Sequence, residues 1–196
     1  MEGERIMNND EMIYLKAARG ERPDTIPIVI EIQMAVCPGF KELQVKYGFE
    51  GICRNPELSA QCTIMPVNDL GVDAAIHMSD LLIPVEAMGI KVKHTVKGPV
   101  IENPVRTGED IDKLIIPNPG EGMPVWLEAL SMAKRELRGK VPLIGWVGGP
   151  LSTASFIIEG GLPTGPTPFH QIKTMMYSEP KTLHRLLKKL TKLYSQ

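Results

Sequence analysis

The order of elements along this chain predicts an α/β fold. Short β-branched runs alternate with helical patterns, and each run is opened by a proline or a glycine. One stretch breaks the alternation and reads as a β-hairpin outside the sheet. With 43% hydrophobic residues in 196, the chain can bury one sizeable core, so residues 1–196 read as a single domain.

Each element has a local reason. Asn8 to Gly20 reads as a short helix with Met12, Leu15 and Ala18 on one face and Gly20 as its stop. Ile28 to Ile32, opened by Pro27, is the first strand. Met34 to Gly39 reads as irregular, and Lys41 to Tyr47 as helical. Asn55 caps a further helix, Pro56 sits in its first turn, and Leu58, Cys62, Met65 and Leu70 share a face. Gly71 ends that helix and a second strand runs from Val72 to Met78. Ile90 to Val105 is the hairpin, broken at Gly98-Pro99. Thr107 caps a short helix to Leu114, and Pro124 to Leu137 is amphipathic and helical. Leu143 to Val147 is the third strand. His170 to Tyr177 and Glu179 to Tyr194 close the chain as helices. The last carries Leu183, Leu186, Leu187, Leu190, Leu193 and Tyr194 on one side and five basic residues elsewhere. That makes about three parallel strands. A closed (β/α)8 barrel takes at least about 200 residues. The pattern therefore fits either an open α/β domain or the front part of a barrel finished by another chain.

Composition removes several function classes. Lys and Arg number 22 against 23 Asp and Glu, for a net charge of -1, so no basic field faces a nucleic-acid backbone. No apolar run reaches the roughly 20 residues of a membrane span. The start, Met1-Glu-Gly-Glu-Arg-Ile, lacks the basic-then-apolar order of a signal peptide, which points to a cytoplasmic protein. Cys37, Cys53 and Cys62 are odd in number and irregular in spacing, so they read as free, buried thiols. The scattered His77, His94, His170 and His184 give no zinc pattern, and no metal is expected.

Chemistry concentrates in Gly71-Val-Asp-Ala-Ala-Ile-His-Met-Ser-Asp80, where a carboxylate follows a buried strand. Parallel α/β sheets place their sites at the carboxyl ends of strands. Asp80, framed by Ser79 and the apolar Leu81-Leu82-Ile83-Pro84, is thus a candidate acceptor for a cationic or N–H-bearing ligand. The same Ser-Asp pair also fits a helix cap.

The same stretch, with Asn55-Pro-Glu-Leu-Ser-Ala, Pro84-Val-Glu-Ala-Met-Gly, Lys97-Gly-Pro-Val-Ile-Glu-Asn-Pro-Val-Arg and Ala154-Ser-Phe-Ile-Ile-Glu-Gly-Gly, resembles the N-terminal half of the uroporphyrinogen decarboxylases. These are (β/α)8-barrel enzymes of haem biosynthesis. The resemblance implies a partial TIM-barrel-like (β/α) domain. It also implies cofactor-free decarboxylation of the acetate side chains of a tetrapyrrole, uroporphyrinogen, whose pyrrole N–H groups converge on one aspartate. It places that role on Asp80 and substrate contacts on Gln33, Lys41, Ser79 and Phe156. Several family features are replaced. The arginine-bearing segment after the first strand reads Glu31-Ile-Gln-Met-Ala-Val-Cys-Pro38, in which only Gln33 matches. Phe156 stands where the family has a tyrosine, and Gly148-Gly-Pro-Leu-Ser-Thr lacks the family's aromatic residue.

The expected partners are a tetrapyrrole and either a second copy or a complementary barrel subunit, since three strands leave raw sheet edges. Two further readings stay open. One is a non-catalytic tetrapyrrole- or haem-binding protein on a degenerate scaffold, with Met34, Met65, Met78, His77 or Cys37 as ligands. The other is a relative of the corrinoid-linked methyltransferases.

Overall fold

A computed structural model describes residues 12–31, 33–95, 97–164 and 167–196. In chain order the elements are α1 (Ile13–Ala18), a 3-10 turn (Gln33–Val36), α2 (Pro38–Cys53), α3 (Pro56–Leu70) and β1 (Ala75–Ile76). Next come α4 (Ile83–Ala87), β2 (Val92–Thr95), β3 (Gly98–Ile101), α5 (Gly108–Lys113), α6 (Pro119–Gly122) and α7 (Pro124–Glu136). β4 (Leu143–Ile144), α8 (Pro150–Glu159), α9 (His170–Ser178) and α10 (Pro180–Tyr194) complete the chain. The fold is α/β, with helices and a parallel strand pair. Contacts gather into two compact units: Met1–Asp80 with Val125–Trp146, and Leu81–Pro124 with Val147–Gln196.

In the first unit β1 and β4 pair in parallel, Ala75 opposite Leu143 and Ile76 opposite Ile144. The ladder is shorter than the expected Val72–Met78 and Leu143–Val147 runs. It is extended by two bonds, Ala75 N–H to Pro142 O and His77 N–H to Ile144 O, each 3.0 Å. The expected first strand is only partly realised. Ile32 and the helix start at Asn8 lie outside the described residues. Over 28–31 the chain forms no ladder, but Ile28 is tied at one point. Its N–H donates to Asp73 Oδ2 at 2.7 Å, and its carbonyl accepts from Asp73 N–H at 2.9 Å. Ile26, Ile28 and Ile30 remain exposed. A β-branched run makes a strand only when both neighbouring chain and covering layer are present, and among the described residues one rung holds it.

α3 begins and ends as its residues dictate. The Asn55 side chain accepts the Leu58 N–H at 2.8 Å, a cap worth about 1 kcal/mol, and Gly71 closes the helix at φ 66°. Its buried face differs from the expected one. Ser59, Ala60, Cys62, Thr63, Ile64 and Pro66 are buried, whereas Leu70 is exposed. Ala60 and Ile64 pack with Ala75, Ala133 and Leu137. The small residues let α3 approach the strand closely, and the larger Leu70 is left at the helix end. α2 is longer than expected, with a break at Gly48, φ 69°.

The second unit follows the periodicity of its helices. Leu183, Leu186, Leu190 and Leu193 of α10 are buried with Ile157 and Ile158 of α8 and Ile172 and Met175 of α9. Each such side chain stabilises the unit by roughly 2 kcal/mol. The expected hairpin forms, Val92 opposite Ile101 and Thr95 opposite Gly98, but Gly98 and Pro99 open β3, paired with Thr95 and His94, rather than break the ladder. It docks on the carbonyl end of α8: Ile101 N–H donates to Gly160 O, Val105 N–H to Ile157 O and Arg106 Nε to Ile158 O. Those are the carbonyls a helix end leaves unpaired. Thr107 and Asp110 form a reciprocal capping box on α5.

Gly161 sits where this docking is tightest, at φ 144° and bridged to Val100. A Cβ there would run into the Pro99 carbonyl oxygen. Gly161→Ala is expected to destabilise the chain by about 3 kcal/mol or more, read as a fall in the denaturant midpoint at unchanged slope.

Candidate functional site

The exit of β1 gathers most of the residues singled out above. β1 contributes its last sheet bond at His77, and the chain then runs buried through Met78, Ser79 and Asp80. Among the described residues no strand pairs with Met78. Its N–H donates instead to Thr63 Oγ1 at 2.9 Å, and its carbonyl accepts from Ser59 Oγ at 2.6 Å. Ser59 and Thr63 are one turn apart on α3 and are 1% and 0% exposed. The Thr63 hydroxyl also donates to Ser59 O at 2.8 Å. Its single proton is thereby committed, and its lone pairs face Met78.

His77 is held from α7. Trp126 Nε1–H donates to His77 Nδ1 at 3.0 Å, with the ring centroids 5.9 Å apart. Indole nitrogen can only donate, so Nδ1 accepts and the neutral ring carries its proton on Nε2. Nε2 meets no partner among the described residues, and neither does Ser79 Oγ. Burial depresses the His77 pKa from 6.5 to about 4, which keeps the ring neutral at pH 7.

Asp80 is 9% exposed. Its charge reaches Cys53, whose thiol is driven well above the usual range by burial first, then by Asp80 and Cys62. Burial, with a smaller contribution from Cys37, raises Cys62 to about 11. Cys37 is raised by burial and by Asp69, which accepts its hydrogen bond. All three cysteines are free and buried, as expected. Among the described residues no group of three or more His, Cys, Asp or Glu could hold a metal ion, and no helix is long and apolar enough to cross a membrane.

A cavity of about 410 Å³ opens beside the strand exit. Lys41 and Ser79 both line it, with Met34, Phe40, Met78 and Trp146 as apolar wall. Its volume lies within the range of small-molecule sites. Asp80 is not among its wall residues. Gln33 opens the 3-10 turn, and its side chain lies outside the described set. Phe156 belongs to the second unit, where it packs on the core and lines a cavity of about 630 Å³ with Leu151, Leu162 and Phe169.

The uroporphyrinogen decarboxylase (URO-D) family model matches residues 9–196. This chain belongs to that family. It is 41% identical over 184 residues to a uroporphyrinogen decarboxylase of Myxococcus xanthus, covering 93% of this chain and 51% of the relative. It is 44% identical over 179 residues to that of Carboxydothermus hydrogenoformans, covering 90% and 50%. The chain thus spans about half the length of the curated relatives it matches. Among solved structures, a methyltransferase from Methanosarcina mazei matches with a TM-score of 0.68 at 21% identity, over 93% of this chain and 52% of that one. At that identity the match speaks for fold alone.

Two features of this URO-D family chain escaped the sequence reading: the Ser59–Thr63 grip on Met78 and the Trp126–His77 bond. Hydroxyls one turn apart on a helix otherwise rich in small apolar residues were the only local signal of the first. The second joins residues 49 positions apart and left none.

The buried ring sets an acid limit. An unfolded histidine takes its proton near pH 6.5, whereas folded His77 takes it only near 4. Between these values the unfolded chain binds the extra proton, so stability falls as pH drops through this window, by roughly 3 kcal/mol in all. Urea midpoints between pH 7 and pH 4 are expected to fall less steeply for His77→Leu than for the parent chain. The three thiols are expected to resist iodoacetamide at pH 8 until the chain is unfolded, because the thiolate is the reactive form.

Proposed function

We propose that this chain supplies the aspartate-bearing part of a TIM-barrel-like tetrapyrrole site. Asp80 is its N–H acceptor, in the manner of the cofactor-free uroporphyrinogen decarboxylases whose family it joins. The observation that carries the reading is the buried carboxylate at the exit of β1, inside the span that the family model matches. A carboxylate accepts several N–H bonds at once, and each is charge-assisted and strengthened where water is scarce. The same carboxylate stabilises a pyrrole ring that turns cationic when a ring carbon is protonated. Decarboxylation of the acetate arms is then assigned to an assembly in which a second copy or a complementary barrel subunit completes the site in the cytoplasm. Gln33, Lys41, Ser79 and Phe156 are proposed as substrate contacts.

One observation favours a second reading, tetrapyrrole or haem binding without turnover. The cavity beside β1 carries Lys41 as its basic wall residue, and the acidic Glu31 faces it. No arginine stands between Arg22 and Arg54. A lysine lacks the bidentate grip of arginine on a carboxylate. Each lost buried contact of that kind costs about 2–5 kcal/mol of binding.

Incubation with uroporphyrinogen, coproporphyrinogen and haem, each alone, separates the readings. Decarboxylated products on chromatography support the enzyme, and a shifted visible band without products supports the binder. Asp80→Asn is expected to weaken porphyrinogen affinity at least tenfold by calorimetry. An unchanged affinity removes Asp80 from the role. Sedimentation is expected to show self-association at micromolar concentration, and a folded monomer would refute the need for a second copy.

A further inference from the structure

The Met78 peptide invites a question that the fold alone does not answer. Buried backbone groups beyond a sheet's last rung are ordinarily satisfied by a neighbouring strand. Here two side-chain hydroxyls on α3 do it, at 2.9 and 2.6 Å, and a third bond of 2.8 Å, from the Thr63 hydroxyl to the Ser59 backbone carbonyl, orients the Thr63 proton. Both hydroxyls are at least 99% buried, so neither is replaceable by water. The peptide they hold is two residues from Asp80, a separation the chain spans in at most about 7 Å.

We propose that Ser59 and Thr63 are positioning residues for the Asp80 carboxylate. The proposal rests on the reading of Asp80 as the tetrapyrrole acceptor and assigns the two hydroxyls a part in it. They act through Met78. With its N–H and carbonyl, which belong to the two peptide groups flanking its Cα, both tied to one face of α3, the Met78 backbone is fixed along the strand direction and about its own axis. Asp80 therefore leaves a rigid anchor. A single bond would leave rotation about that bond free, and apolar packing would leave sliding free. A carboxylate meant to meet several N–H groups at once tolerates neither, since displacement by about 1 Å can cost 100-fold in a preorganised site.

The test uses the full chain and uroporphyrinogen as the probe. Thr63→Val keeps the side-chain shape and removes the hydroxyl. Thr63→Ser keeps the hydroxyl. Thr63→Val is expected to lower affinity at least tenfold and to speed exchange of the Met78 amide at least tenfold. Thr63→Ser is expected to restore both to within about threefold. In an Asp80→Asn background, Thr63→Val should lower affinity no further, because a residue that acts only through Asp80 has nothing left to position. A purely structural hydroxyl would instead give the same loss in both backgrounds, or faster amide exchange at unchanged affinity, and either result overturns the proposal. If Thr63→Val does not fold, Ser59→Ala removes the other arm of the grip and is read by the same criteria. If Asp80→Asn leaves affinity unchanged, or the parent chain binds no uroporphyrinogen, the reading of Asp80 fails and the positioning role falls with it. Full effect of Asp80→Asn with no effect of Thr63→Val or Ser59→Ala rejects the positioning role alone.

Discussion

A two-residue ladder cannot hold its own exit, and the first unit depends on what replaces it. β1 offers Ala75 and Ile76 to β4 and one further bond at His77, after which the chain stays buried for three more residues. An unpaired peptide group in that position would cost about 1–3 kcal/mol on each side. α3 removes the cost with Ser59 and Thr63, and it does so with the face that also packs against Ala75 and Ala133. Close packing and hydrogen bonding thus make one demand on α3, small side chains towards the strand. Trp126 adds a third tie at His77, using the donor that an indole must satisfy when half-buried.

The second unit is stabilised by a different currency. Its core is leucine and isoleucine from α8, α9 and α10, set at helical spacing, and polar groups act mainly at its ends. The hairpin is fastened there, by carbonyls at the end of α8 that would otherwise lack donors. Gly160 and Gly161, both with positive φ, make that approach possible. Arg185 pairs with Asp112, and Lys189 donates to Ile111 O, so two of the basic residues of α10 bind it to α5.

Chemically, the first unit keeps an acceptor and loses donors. Asp80 is buried and its segment follows the URO-D family. In the loop after the first run Gln33 keeps the family's residue but no arginine stands between Arg22 and Arg54, and in the second unit Phe156 supplies no hydroxyl. The neutral His77, with its proton on Nε2, adds a polar group that the acceptor reading does not use.

Elements whose signal is local were legible from the residues. The Asn55 cap, the Gly71 stop, the Thr107 cap, the hairpin within 90–105 and the leucine face of α10 all appear where the sequence puts them, because each needs only residues within a turn or two. Family membership and the burial of Asp80 were legible as well, through the motif that contains it. What depends on distant chain was not. Ile28 to Ile32 has the composition of a strand, yet strand formation needs neighbours, and among the described residues it is Asp73 that bonds Ile28. The inward face of α3 was misread because hydrophobicity favoured Leu58 and Leu70. The Met78 peptide needed hydroxyls, and a buried hydrogen-bond requirement outweighs the burial of one leucine at a helix end. The sequence by itself determined the helices, the turns and the carboxylate. The tertiary structure decided which side chains face the strand exit, since that depends on the needs of a peptide group 15 to 19 residues away.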